Sequence, residues 1–198
     1  GNKGGAIGRA VPGHQVAIVD GEGREVPHGS QGTIAVKGPD PVMFLTYWNN
    51  DQAMRDKFRG DWLMTGDQGT MDEDGYVTFV GRDDDVITSA GYRIGPTEIE
   101  DCLVAHPAVQ LAAVVGKPDA IRTEIVKAFV LLRPGVAPEP ELATEIQAHV
   151  RERLSAHEYP REIEFVDEMP LTTTGKVIRR VFRDQVRGEA GDLDPTAD

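Results

Sequence analysis

The sequence has 198 residues, 39% of them apolar, with 33 acids against 21 Lys and Arg and a net charge of -12. That length and apolar share allow one large or two small domains with real cores. The acidic balance excludes a protein that grips a nucleic-acid backbone by counterion release, which needs a basic face, so no nucleic-acid partner is expected and an anionic ligand must be held by a few placed Arg and Lys side chains.

The single cysteine, Cys102, excludes an internal disulfide and fits a reducing compartment. No apolar run approaches the roughly 18 residues of a membrane span and no signal-like segment is visible, so the expectation is a soluble, cytoplasmic protein without a membrane span. The chain opens on Gly1-Asn2-Lys3 without an initiator Met and is read as a piece of a longer polypeptide.

The first eighty residues carry strand and turn signals. Gln15 to Asp20 is a β-branched run closed by Gly21-Glu22-Gly23, and Gly32 to Lys37 is a second run. Trp62 to Thr65 and Tyr76 to Val80 add two more, with Asp72-Glu73-Asp74-Gly75 as a turn, which predicts a small antiparallel sheet or barrel. Only Asp51 to Phe58 reads as helix there, with Asn50 or Asp51 as its N-cap.

After Gly81 the pattern changes. Pro96 to Val104 has Pro in its first turn, acids near its start and Ile99 and Leu103 on one face, which predicts a helix. Val109 to Val115 and Ile125 to Leu132 are continuous apolar runs of strand length, fit for the centre of a sheet. Glu139 to Leu154 repeats Leu142, Ile146, Val150 and Leu154 at helical spacing, Ile163 to Val166 is a third strand, and Lys176 to Val186 a last helix with Val177, Val181 and Phe182 inward. The order α-β-β-α-β-α predicts a compact α+β layer with helices covering a sheet. Residues 188–198 lack any apolar period and are expected to be a disordered tail.

The domain boundary is placed at Gly81-Arg82-Asp83-Asp84-Asp85, since a glycine followed by four charged residues reads as a solvated connection; a polar hairpin turn is the plainer alternative. The resulting division is 1–82, a β subdomain, 83–187, an α+β domain, and the tail.

Several chemistries lack their residues. Gly175-Lys176 is not a Walker A loop, because Pro170 stands where its first glycine belongs and Val177 where its hydroxyl belongs. No Gly-x-Gly-x-x-Gly follows a strand, and no Gly-x-Ser-x-Gly elbow is present. His14, His28, His106, His149 and His157 show no metal spacing, so they are read as surface or capping residues and no metal ligand is assigned.

Four phrases remain: Thr65-Gly66-Asp67; Gly81 to Ile87; Ser89 to Glu100, which includes Gly91-Tyr92-Arg93-Ile94; and Pro170 to Lys176. In this order they resemble the late motifs of the AMP-forming, adenylate-forming superfamily, and within it acyl-CoA synthetases of the acetyl and medium-chain type, a likeness supported by Tyr159 to Val166. It runs from about Gly4 to Arg187. Each phrase is unspecific alone; four in order are not.

The resemblance implies a fold, a small antiparallel β subdomain at the end of a large N-terminal domain followed by a compact α+β C-terminal lid domain. It implies an activity, activation of a carboxylic (fatty) acid with ATP to an acyl-adenylate and transfer of the acyl group to CoA, with Mg2+ ligands and the acyl pocket upstream of Gly1. Residue by residue, Asp67 resembles the carboxylate that accepts from the ribose hydroxyls, and Arg82 an arginine beside ribose and phosphate. Asp84 matches the hinge position. Lys176 resembles the lysine that bridges carboxylate and α-phosphate oxygens during adenylation. Gly91, Tyr92 and Arg93 resemble the loop that replaces it for thioester formation, with Gly91 passing the pantetheine arm and Arg93 meeting a phosphate; Arg151 falls near a CoA-nucleotide contact. On this reading the isolated chain makes no thioester. Two alternatives stand beside it: an adenylation domain that loads a carrier protein, against which Asp85-Val86-Ile87-Thr88 speaks, and a non-catalytic nucleotide-binding fragment.

Overall fold

The computed structural model describes residues 3–44, 46 and 48–191. The chain divides into two compact units, 1–84 and 85–198.

The first unit contains β1 (Val16–Val19), β2 (Gly32–Lys37), the helix α1 (Asp51–Asp56), β3 (Phe58–Arg59), β4 (Trp62–Met71) and β5 (Val77–Arg82). They form an open, five-stranded sheet in the order β1-β2-β4-β3, with β5 also on β4, and every described pairing is antiparallel. Its turns are built by carboxylates that replace a backbone acceptor: Asp20 Oδ1 accepts from Glu22 N and Arg24 N, and Asp72 Oδ1 from Asp74 N and Tyr76 N. Both faces carry apolar residues, Ala17, Val19 and Ala35 on one and Ile18, Ile34 and Val77 on the other. Asn50 is the cap of α1, its Oδ1 accepting from Ala53 N at 3.0 Å. The helix stops at Asp56, two residues short of the expected end, because Phe58 pairs with Leu63.

The second unit contains β6 (Ile87–Ser89), β7 (Tyr92–Ile94), α2 (Pro96–Val104), β8 (Val109–Asp119), β9 (Thr123–Leu132), α3 (Pro140–Arg153), β10 (Glu162–Val166) and α4 (Arg179–Gly191). The long β8–β9 hairpin is its centre. β10 runs parallel to β9 along Lys127 to Leu131, and the β6–β7 hairpin joins at the start of β9 through Ser89 and Thr123. Alternate side chains of the central strands feed two cores, which is why those runs are continuously apolar. Ala112, Val114, Val126, Ala128 and Val130 pack with Ile99, Leu103, Ile146 and Val150 of α2 and α3; Ala113, Val115 and Phe129 pack with Phe182 and Val186 of α4. This α+β layer is the expected one, with the β6–β7 hairpin added ahead of it.

Several expectations change. The strand expected to stop at Thr65 runs on to Met71 as β4, so Asp67 lies inside it. The segment after Gly81 is not uniformly solvated: Gly81 is buried, and the Asp85 side chain is only 13% exposed because it pairs with Arg179 and Arg183. The last helix begins at Arg179, so Lys176 precedes it, and its inward side chains are Phe182 and Val186, with Val181 48% exposed. That helix continues through residues 188–191, where a disordered tail was expected; residues 192–198 lie outside the described ones. His106 is buried, not at the surface: its Nδ1 accepts from Ala108 N, which leaves the Nε2 proton facing Glu145 Oε1 at 3.4 Å, and His149 meets it edge-on at 5.0 Å.

Candidate active-site residues

Asp67 and Arg82 are register partners on β4 and β5, so the sheet itself sets them face to face. Arg82 Nε lies 3.3 Å from Asp67 Oδ1 and 3.9 Å from Asp84 Oδ1. The 3.3 Å separation is ion-pair distance without an aligned hydrogen bond, and Asp67 Oδ1 is a buried acceptor that no donor satisfies. A buried carboxylate oxygen left without a hydrogen bond is costly, whereas the Asp67 side chain as a whole is 35% exposed and so still offers an acceptor surface to a ligand hydroxyl. Arg82 is half exposed, so its guanidinium presents donors to solvent while it sits between the Asp67 and Asp84 carboxylates. The backbone around the pair is fixed: Thr65 Oγ1 donates to Ile34 O and accepts from Asp67 N, while Asp83 N donates to Gly66 O. Buried Gln68 holds Asp83 Oδ1 at 2.8 Å. A part-exposed carboxylate beside a half-exposed guanidinium suits a ligand that carries hydroxyls and a phosphate.

In the second unit Lys176 ends a closed turn. Thr172 N donates to Lys176 O, Gly175 N to Thr172 O and Lys176 N to Thr172 Oγ1, and Leu171 bridges to Val177. Gly175 has φ +80°, a conformation that only glycine adopts without strain. Residues 171–176 are exposed, and among the described residues the Lys176 ammonium has no ion-pair or hydrogen-bond partner. A turn closed by these hydrogen bonds thus presents one uncommitted cation to solvent.

Gly91 sits in the β6–β7 turn, where Ala90 and Gly91 have φ +50° and +85°. The turn requires the glycine; crowding does not, since nothing lies within 4 Å of a Cβ built there. Tyr92 is half exposed and its ring stacks on His157 at 4.0 Å and 10°. His157, passed over as an ordinary surface residue, comes from the loop between α3 and β10. That loop also carries Tyr159, whose ring lies 5.5 Å from the Arg151 guanidinium and 5.4 Å from that of Arg161. One loop therefore packs against both the Tyr92 turn and Arg151, two positions 59 residues apart in sequence, and no periodicity signals either contact. Arg93 is exposed on β7.

Residues 98–176 match a family described as the AMP-binding enzyme C-terminal domain. The matched segment lies within the second unit. Over 99% of its length it is 46% identical to acetyl-coenzyme A synthetase of Bacillus subtilis (strain 168), and over 92% it is 48% identical to the human mitochondrial acyl-coenzyme A synthetase ACSM4. It spans about a third of each relative, 35% and 32%. The crystal structure of the anthranilate CoA ligase AuaEII in complex with anthranoyl-AMP matches 96% of the chain with a TM-score of 0.82 at 39% identity, the chain covering 36% of that protein. In the AMP-binding enzyme C-terminal domain matched here, Lys176 is the last matched residue, and Gly91 to Arg93 lie just before the first. No described helix is long and apolar enough to cross a membrane, and among the described residues no group of three or more His, Cys, Asp or Glu is placed to hold a metal.

Proposed function

We propose that this chain is the C-terminal portion of an AMP-forming acyl-CoA synthetase, an acid–thiol ligase of the cytoplasm. The reading rests on one observation above the others: an exposed lysine ammonium, without a partner among the described residues, on a turn closed by hydrogen bonds between Thr172 and Lys176 and between Thr172 and Gly175. In the first half reaction a carboxylate oxygen attacks the α-phosphorus of ATP, the bond to the bridging oxygen breaks, and pyrophosphate leaves. Lys176 bridges the carboxylate and α-phosphate oxygens as charge spreads between them, a stabilisation that solvent would provide only after reorganising. Asp67 accepts from the ribose hydroxyls, and Arg82 meets the phosphate side of the same nucleotide. In the second half reaction a CoA thiolate attacks the acyl carbonyl and AMP leaves; Gly91, Tyr92 and Arg93 line the thiol's approach, and Arg151 meets the CoA nucleotide. Asp84 is the pivot between the two arrangements. Mg2+ is part of this proposal only as a companion of ATP held by parts of the enzyme outside this chain, and no step above runs through it.

The test is Lys176→Ala in the full-length enzyme, with the half reactions measured separately. Adenylation should slow by about 10²- to 10³-fold, while thioester formation from a supplied acyl-adenylate persists. Equal losses in both steps contradict the assignment.

A further inference from the structure

We propose that Arg179 is a positioning residue, which ties the Lys176 turn to Asp85, the first residue after the pivot. This rests on the ligase reading and adds to it a residue that carries no chemistry itself.

Arg179 is the first residue of α4, three positions beyond Lys176, and its side chain is 21% exposed. Its guanidinium is divided between two carboxylates. Nε donates to Glu100 Oε1 at 2.7 Å and Nη2 to Glu100 Oε2, while Nη1 donates to Asp85 Oδ2 at 3.1 Å. Arg183, one turn further along α4, donates to the other Asp85 oxygen at 2.6 Å. Glu100 is itself fixed to the sheet, since its Oε1 accepts from Val114 N in β8. Two cations and two anions, 12–21% exposed, therefore neutralise one another where α2, α4, β8 and the start of the unit converge. The hydrogen bonds to Glu100, more than those to Asp85, hold the Arg179 charge against burial.

The consequence for Lys176 follows from how its turn is held. At one end Met169 is buried in the core under α4; at the other Ile178 N donates to Pro170 O and the next residue is Arg179. Between these anchors residues 171–176 touch water. The position of the ammonium is thus set by two anchors, one apolar and one ionic. The ionic anchor is shared with Asp85, so a rotation at Asp84 is delivered to the lysine turn without slack. A lysine at 179 could not reproduce the fork.

The test uses the full-length enzyme carrying Arg179→Met, Arg179→Lys and Asp85→Asn, with folding checked by thermal unfolding. Misplacing a reacting group by about 1 Å costs roughly 10²-fold, so Arg179→Met should slow adenylation by about ten- to a hundredfold without changing KM for ATP. Thioester formation from a supplied acyl-adenylate should be unchanged. Arg179→Lys should recover part of the loss, and Asp85→Asn, which spares the Glu100 fork, should show the same selectivity with a smaller effect. In a Lys176→Ala background Arg179→Met should add no further loss of adenylation, because it acts through that lysine. Wild-type adenylation in folded Arg179→Met, equal losses in both half reactions, or additive losses in the double variant would overturn the proposal. If Arg179→Met fails to fold, normal adenylation by Asp85→Asn does so. A Lys176→Ala enzyme that adenylates normally contradicts the ligase reading itself, a separate result.

Discussion

Arg82 faces Asp67 across the β4–β5 ladder with its Nε 3.3 Å from Oδ1, yet that oxygen has no aligned hydrogen bond. A pair that were merely structural would be expected to close this gap, because an unsatisfied buried acceptor costs about 1–3 kcal/mol and more when charged. Asp67→Asn should therefore weaken nucleotide binding by roughly ten- to a hundredfold, the cost of one hydrogen bond to a charged group, with little change in unfolding temperature. Titration of ATP or AMP into the full-length enzyme checks this. Tight binding retained in the variant removes Asp67 from the nucleotide site.

Asp84 is two-thirds exposed and ends the first unit, whereas Asp85 is locked by two arginines. This contrast is the basis for proposing Asp84 as the pivot. Asp84→Pro fixes φ near -65° and should abolish one half reaction while sparing the other. Normal rates in both would place the pivot elsewhere.

His149 is held neutral, its pKa lowered from 6.5 chiefly by burial, with Arg153 adding to it. His106, Glu145 and Glu152 are the other titratable groups around it. The unfolded chain binds this proton at higher pH than the folded one, so the stability is complete above about pH 6.5 and is lost as pH falls toward the folded pKa. The melting temperature of the 198-residue chain should decline below pH 6.5, and His149→Gln, which keeps a donor for Cys102 O, should flatten that decline. An unchanged slope would assign the pH dependence to other groups.

Phe129 is fully buried and stacks on Phe182 at 4.3 Å, joining β9 to α4. Phe129→Ala leaves a cavity there and should cost about 3–5 kcal/mol. Urea unfolding followed by far-ultraviolet circular dichroism reads this directly. A loss below about 1 kcal/mol would mean the helix settles into the space, which native packing density resists.

The helices α2 and α3 and the β8–β9 pair were legible before any fold was known. Pro96 and Pro140 open their helices, and Ile99 with Leu103, or Ile146 with Val150, repeat at one turn, because burial on a regular element imposes a period within a dozen residues. Motif order picked out Asp67, Arg82, Asp84, Gly91, Tyr92, Arg93, Arg151 and Lys176 as candidates, whose roles are proposals. The face of α4 was not legible. Arg179, Phe182, Arg183 and Val186 share it, and two arginines on an inward face look like solvent positions until Glu100, 79 residues from Arg179, and Asp85, 98 residues from Arg183, arrive to neutralise them. The Tyr92–His157 stack and the isolation of the Lys176 ammonium are of the same kind. Local order is written in local periodicity; which charge is buried, and which is left over for chemistry, depends on partners that only tertiary folding brings within a few ångströms.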